Sequence, residues 1–379
     1  MNLSRKRSNE PSPALAGEGA SVSERVRALT PTLSRVCGRG GAVLVTALLV
    51  LSTAQAHAQT KMIVGNVPST TGGPIFIAKE KGYFAQGGLD VDLQRFRSAI
   101  DMEALLATGR LQVAAGSVGA GLFNTVEKKL PIKIVMSRAS TPSFHNIVVR
   151  TDLKDTIKKI PDLKGRSIAL NARGAVTMYE FGRSIESGGL TLKDVDVKFM
   201  PYDQMPVALA NKAADAALII PPNVDVAVEK GFAVRWIDPD HAVKVLPILV
   251  GVDQMNTDWA AKNEKAAFAF VEAVLRGAHD YCEAYHRGAN RAEVVRIMAK
   301  YIDITDPAIV DAIEWGARDP EGRIFPASLD DIQEFYLQQG LIARKYTNDE
   351  LFDDRYGEAA RKKVGPFKLQ AKSEKPGCR

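Results

Sequence analysis

The sequence predicts an α/β chain of two lobes, each a mainly parallel sheet flanked by helices, joined by two crossover segments. Three observations predict it. From residue 62 onward, short apolar runs of strand length alternate with helical stretches, and that alternation covers a parallel sheet on both faces. The 379 residues exceed one core of ordinary size. Two apolar extended stretches, 144–149 and 246–252, stand where the chain would cross between lobes and back, and such a pair of crossings makes a hinge.

The first unit, 62–93, sets the pattern. Met62, Ile63, Val64 and Val67 read as a strand stopped by Pro68. Ser69, Thr70, Thr71, Gly72 and Gly73 follow as a small polar loop whose hydroxyls and amides can approach a ligand, and Pro74 suits a first helical turn. Helix 74–81 ends at Gly82, and Leu89, Val91 and Leu93 then alternate with Asp90 and Asp92 as a strand. Helix 100–108 closes at Gly109, strand 111–115 opens into the loop Gly116-Ser117-Val118-Gly119, and helix 120–129 and strand 132–136 complete the pattern.

The second lobe reads as strands 167–170, 195–200 and 214–220 with helices 176–187 and 203–211. Leu106-Ala107 leads in five residues to Gln112 and Leu209-Ala210 in five to Asp215, which suggests a duplicated plan. Lys212 replaces the glycine there, with Asn211 beside it able to take a left-handed conformation. After the return, helix 264–286 carries Phe268, Val271, Val274, Leu275, Ala278, Tyr281, Cys282 and Tyr285 on one face and should pack on the first lobe. Helices 291–301, 307–317 and 329–339 follow, the last begun by Ser328 with Asp331 at capping-box spacing. The expected divisions are 59–145 and 251–369 for the first lobe, 146–250 for the second, and a disordered tail at 370–379.

Residues 1–58 read as a disordered extension and a secretory signal peptide. The apolar segment 42–54 follows Arg35 and Arg39 and precedes Ala56-His57-Ala58, so cleavage is expected after Ala58, giving a periplasmic protein with no membrane insertion once cleaved. Of the 50 Lys and Arg and 44 Asp and Glu, the leader holds seven and three, leaving 43 against 41 beyond it. That balance offers no general field for nucleic acid. Cys282 falls on the apolar face of a helix and Cys378 in the polar tail, either as separate thiols or as a pair. His279, Glu283 and His286 share a helical spacing that could hold a metal but read more simply as solvent-facing, so neither a metal nor a cofactor is expected.

The run Ile77-Ala78-Lys79-Glu80-Lys81-Gly82-Tyr83-Phe84 with Gly88-Leu89-Asp90-Val91-Asp92-Leu93 resembles periplasmic binding proteins of the nitrate, sulfonate and taurine ABC importer type, within the thiamine-pyrimidine-precursor-binding-like superfamily. Leu106-Ala107-Thr108-Gly109-Arg110-Leu111, Pro131-Ile132-Lys133-Ile134-Val135 and Asp162-Leu163-Lys164-Gly165-Arg166 agree. The resemblance implies the type II periplasmic binding protein fold, a monomer that hands a small solute to an ABC permease and its ATPase, and no reaction. Where the family commonly shows Asp, Gln112 stands, at a position facing the strand junction.

Ligands of open parallel sheets bind beyond the carboxyl ends of strands, where helix N-termini present amides to anions. That rule selects the loops bearing Ser69, Thr70, Thr71, Gly72, Arg97, Ser98, Gly116, Ser117, Arg138, Asn171, Arg173 and Tyr202, with Phe144 and His145 as possible aromatic walls. A guanidinium's fork of donors suits carboxylate, sulfonate or phosphate, so Arg97, Arg138 and Arg173 point to an anionic organic solute. A thiamine-pyrimidine precursor is an alternative guest. A desulfinase-like or pyrimidine-synthase-like enzyme would call for a reactive or clustered cysteine, and residues 66–76 contain none. A transcription-regulator effector domain would call for a DNA-binding helix-turn-helix, where the N-terminus offers a leader instead.

Overall fold

The computed structural model describes residues 59–379 apart from 143, 240–244, 303 and 305. The predicted leader and its cleavage site lie outside the described residues. The strands are β1 (Thr60–Asn66), β2 (Leu89–Arg95), β3 (Val113–Ser117), β4 (Ile132–Ser140), β5 (Asn146–Arg150), β6 (Ser167–Leu170), β7 (Asp196–Phe199), β8 (Ala216–Ile219), β9 (Ala233–Ile237) and β10 (Leu249–Asn256). They form two five-stranded sheets, ordered β2-β1-β3-β10-β4 and β7-β6-β8-β5-β9.

Each sheet has four strands running one way and one reversed. In the first sheet β10 is antiparallel to β3 and β4; in the second β5 is antiparallel to β8 and β9. These two are the strands on which the chain arrives after passing between sheets, so each enters from the opposite end to the strands built by strand-helix-strand turns. The sheets are therefore mixed, and the segment expected only as a return crossing continues as β10, a fully buried central strand.

The helices are α1 (Gly73–Glu80), α2 (Tyr83–Gln86), α3 (Ile100–Ala107), α4 (Ala120–Glu127), α5 (Val176–Glu186), α6 (Met205–Ala210), α7 (Asn223–Glu229), α8 (Thr257–Lys262), α9 (Glu264–Tyr285), α10 (Arg291–Tyr301), α11 (Pro307–Ala312), α12 (Pro326–Gln338), α13 (Asn348–Leu351) and α14 (Arg355–Val364). None among the described residues is long and apolar enough to cross a membrane. The long α9 buries Val271, Val274, Leu275, Ala278, Tyr281 and Cys282 against the first sheet's side, as its apolar stripe predicts. Its Gly277 lets α1 approach closely: a Cβ there would stand 2.1 Å from the Pro74 carbonyl oxygen.

The duplicated plan has a physical basis at the helix-to-strand junctions. Gln112 Oε1 accepts the Ile63 amide of β1 at 2.7 Å, and Asp215 Oδ2 accepts the Ser167 amide of β6 at 3.0 Å. Each side chain thus ties the start of its strand to the neighbouring one. Gly109 takes φ +73°, and Lys212, not Asn211, takes the matching left-handed conformation at φ +60°.

Three C-terminal expectations are corrected. Helix α12 starts at Pro326, so Ser328 and Asp331 lie inside it: Ser328 Oγ accepts the Leu249 amide at 2.8 Å, while Asp331 takes the Tyr179 hydroxyl at 2.7 Å and the Arg183 guanidinium at 2.9 Å. Because α12 packs on α4 and on α5, it joins the helices of both sheets, and one apolar cluster runs continuously from Ile134 through Ile147 and Leu170 to Tyr336. The tail 370–379 is held in place, with His286 bonded to Ser373 Oγ and to the Gly377 and Cys378 carbonyls, and the Tyr285 hydroxyl to the Pro376 carbonyl. His286 is consequently buried beneath the tail and does not face solvent.

Candidate functional site

A cleft opens between the loops of the two sheets and encloses about 570 Å³, its open mouth included. From the first sheet's side come Ser69, Thr71, Arg97, Ser98, Gly116, Ser117 and Arg138; from the second come His145, Asn171, Thr177 and Tyr202. Val67, Phe144, Val176, Ile220 and Val250 supply apolar wall between them. The mixture of apolar wall with a few convergent polar groups is that of a ligand site.

Each loop stands where a strand ends. β1 ends at Asn66, Ser69 is extended, and a 3-10 turn over Thr70–Gly72 leads into α1. On the other sheet, β6 ends at Leu170 and α5 starts at Val176 without a side-chain cap, placing Ala175, Val176 and Thr177 in the cleft wall. Amides at such helix starts carry partial positive charge that favours an anion. The two rims touch where the Ala120 amide, opening α4, donates to the Gly174 carbonyl at 2.8 Å.

The sequence pattern places Arg138 on a loop. β4 runs on through Ser140, however, so Arg138 reaches the cleft from within a strand, nearly fully buried. Its Nη1 donates to Thr71 Oγ1 at 2.9 Å and its Nη2 to the Gly116 carbonyl at 3.0 Å, while Thr71 and Ser69 share a hydroxyl contact at 2.8 Å. One guanidinium therefore fixes both first-sheet loops and turns the Ser69-Thr71 hydroxyl pair toward the cleft.

Two charged residues behind Arg138 went unread in the sequence. Arg318, from the segment after α11, donates from Nη2 to the Thr71 carbonyl at 3.0 Å and stacks 4.1 Å above the Tyr281 ring. Asp253 on β10 is fully buried, 4.0 Å from Arg138 Nε, with no hydrogen bond to either carboxylate oxygen. Burial raises its carboxyl to about 6 against the pull of Arg138 and Arg318. Burial likewise lowers the Arg138 guanidinium to about 10, with Asp253 opposing and Arg318 adding to the shift, so it stays charged at neutral pH. With Asp253 ionised the cluster carries two positive charges against one negative, an excess suited to an anion.

The second-sheet rim carries two polar pairs of its own. Thr177 Oγ1 donates to Asn171 Oδ1 at 2.5 Å, and His145 Nδ1 meets Glu180 Oε2 at 2.5 Å with Glu180 wholly buried. Burial pushes the Tyr202 phenol up, so it stays protonated and able to donate.

Of the predicted residues, Thr70, Gly72 and Arg173 do not line the cleft. Thr70 turns inward and is buried, Gly72 backs onto the Phe76 ring, and Arg173 projects to solvent beyond the Asn171 turn. Arg97 lines the mouth but remains exposed. Among the described residues no group of His, Cys, Asp and Glu side chains could hold a metal ion.

The profile of the NMT1/THI5 like family matches residues 69–284, more than half of the chain. The nitrate/nitrite binding protein NrtA of a Nostoc species is 24% identical over 298 residues, covering 70% of this chain and 63% of that protein. The riboflavin-binding protein RibY of Chloroflexus aurantiacus is 21% identical over 230 residues, covering 59% and 62%. The chain thus spans less than two thirds of the length of these curated relatives. Among solved structures, the alkanesulfonate-binding protein SsuA from Xanthomonas axonopodis pv. citri, bound to MOPS, superposes with a TM-score of 0.60 at 18% identity, covering 76% of this chain and 96% of that one. The periplasmic nitrate-binding protein NrtA from Synechocystis gives 0.60 at 17%, covering 81% and 89%, and the desulfurization enzyme DSZB gives 0.58 at 13%, covering 81% and 100%. The shared fold is the two-lobed periplasmic binding protein architecture, which carries both receptors and an enzyme.

Proposed function

The chain belongs to the NMT1/THI5 like family, and from that premise we propose that it is the periplasmic solute-binding receptor of an ABC importer, capturing a small anionic organic solute for a permease and its ATPase. The observation that carries the reading is the buried Arg138 guanidinium, which braces the Ser69-Thr71 hydroxyls at a 3-10 and helix start with Arg318 behind it. An anion in the cleft would meet oriented hydroxyls, helix-start amides and a net positive cluster, while Phe144, Val176, Ile220 and Val250 would cover an apolar body. Closure of the two rims would remove water from these contacts and strengthen them. The nitrate and alkanesulfonate ligands named for NrtA and SsuA support the anion class. The reading needs no bond made or broken, and residues 66–76 carry no cysteine nucleophile.

A thermal-shift panel of nitrate, alkanesulfonates, taurine, aromatic carboxylates, a thiamine-pyrimidine precursor and riboflavin tests it. A ligand at a hundredfold its dissociation constant stabilises by ~2.7 kcal/mol, an easily read shift. At least one anion should produce it, Arg138→Ala should abolish it, and Arg173→Ala should leave it intact. A shift with riboflavin alone, or one that survives Arg138→Ala, would defeat the anion assignment.

A further inference from the structure

We propose that Cys282 and Cys378 form a disulfide that clasps the C-terminal segment onto α9 and the segment behind the cleft. The two thiols, roughly 100 residues apart in sequence, are both free, both buried and in one apolar cluster, where Cys378 adds to burial in raising the Cys282 thiol. The docking that brings them together is specific. His286 accounts for the Gly377 and Cys378 carbonyls, and the Cys378 amide donates to the Arg318 carbonyl at 3.1 Å. Gly377 is packed so tightly that a Cβ there would stand 2.4 Å from the Ala317 side chain and 3.0 Å from Pro142. A tail held only as loose terminal chain would need none of these contacts.

The clasp reaches the cleft through one residue. Arg318, whose carbonyl receives the Cys378 amide, sends its guanidinium to the Thr71 carbonyl. Fixing Cys378 therefore fixes the segment that braces the Ser69-Thr71 loop.

The chemistry is a thiol-disulfide exchange with a low-molecular-weight disulfide as oxidant. In the docked state burial holds the Cys282 thiol well above its usual range, so reaction proceeds when the tail, mostly exposed elsewhere, peels back. The Cys378 thiolate attacks one sulfur of the oxidant and expels a thiolate. The Cys282 thiolate then attacks the mixed disulfide at Cys378 and expels the second. The two protons lost by the cysteines end on the two expelled thiolates, so the oxidant takes up two electrons and two protons and leaves as two thiols with no net proton released. Redocking then shields the new bond from reductant. The compartment predicted by the leader is one in which such bonds persist.

The test treats the purified full-length chain with excess oxidised glutathione, maps it by mass spectrometry without reduction, and compares thermal midpoints with and without dithiothreitol. The expected result is a linked pair of peptides bearing Cys282 and Cys378, and a midpoint that dithiothreitol lowers by on the order of 5 °C, since a loop of this length strongly restricts the unfolded chain. Cys378→Ser, a tail substitution that spares the α9 core, should lose both the linkage and the dithiothreitol response. Two thiols that remain fully alkylatable after oxidation overturn the proposal, as does a linked form whose midpoint matches Cys378→Ser.

Discussion

Asp253→Asn should stabilise the unliganded protein at neutral pH, against the usual expectation for breaking a buried ion pair. The carboxylate is fully buried, has no hydrogen bond, and stands 4.0 Å from the nearest Arg138 nitrogen. Burial outweighs the two arginines and raises its pKa from 3.8 to about 6. A carboxyl with a raised pKa in the folded state binds its proton more tightly there than in the unfolded chain. The stability this one group contributes is therefore greatest below about pH 4 and falls as pH rises to about 6. Two pKa units at about 1.4 kcal/mol each make that loss ~3 kcal/mol, already net of the attraction to Arg138 and Arg318. Asparagine resembles the protonated acid, so the variant should match the parent near about pH 4 and exceed it by up to ~3 kcal/mol at about pH 7.5. Glu103, raised by burial to about 7, and His279 and His286, both lowered by burial, titrate in both proteins and cancel in the difference. Urea unfolding at the two pH values, with unchanged slope as the two-state control, measures it. If the variant is instead weaker at neutral pH by the ~3–5 kcal/mol of a broken buried pair, the arginines depend on Asp253 and the reasoning fails.

Two further outcomes follow from the packing and the cleft. Gly277→Ala sets a methyl group against the Pro74 backbone, which flexible side-chain movement cannot relieve, so α9 and α1 must separate; the expected loss is about 1–3 kcal/mol or more, read as a lower urea midpoint. Arg97→Ala, at the exposed mouth, should weaken capture of an anion by less than about tenfold and only at low salt, because screening removes most of an exposed charge's pull. Calorimetric titration at two salt concentrations checks it, and a large salt-independent loss would place Arg97 in direct contact with the solute.

The strand-helix-strand units were legible because their signals are local. Met62 to Val64 with Pro68, the Gly82 stop, and the alternation at Leu89 to Leu93 each specify a turn or a face without reference to the rest of the chain. The Gln112 and Asp215 repeat was legible for the same reason, each residue serving its own helix-to-strand junction. Strand directions were harder, since the reversal of β5 and β10 follows from where the chain enters each sheet, which no window of residues encodes.

The misreadings at the cleft share one physical origin. Strand 132–136 was expected to stop before Ser137 and Arg138, and the return segment before Asp253 and Gln254, because a polar residue interrupts the apolar pattern that marks a buried strand. Both strands in fact continue through these residues: β4 carries Arg138 and β10 carries Asp253, side by side and buried. A buried arginine is tolerated at such depth when it holds the loops beside it, as Arg138 holds Thr71 and Gly116 and Arg318 holds Thr71 from behind. Arg318 gave no signal of its own, since a lone arginine far along the chain is indistinguishable from a surface charge until the fold sets it over Tyr281. The positions at which the hydrophobic pattern fails inside a sheet are thus the positions at which the sheet supports the cleft, and a polar interruption near the end of a strand is better read as evidence for a site than as the end of the strand.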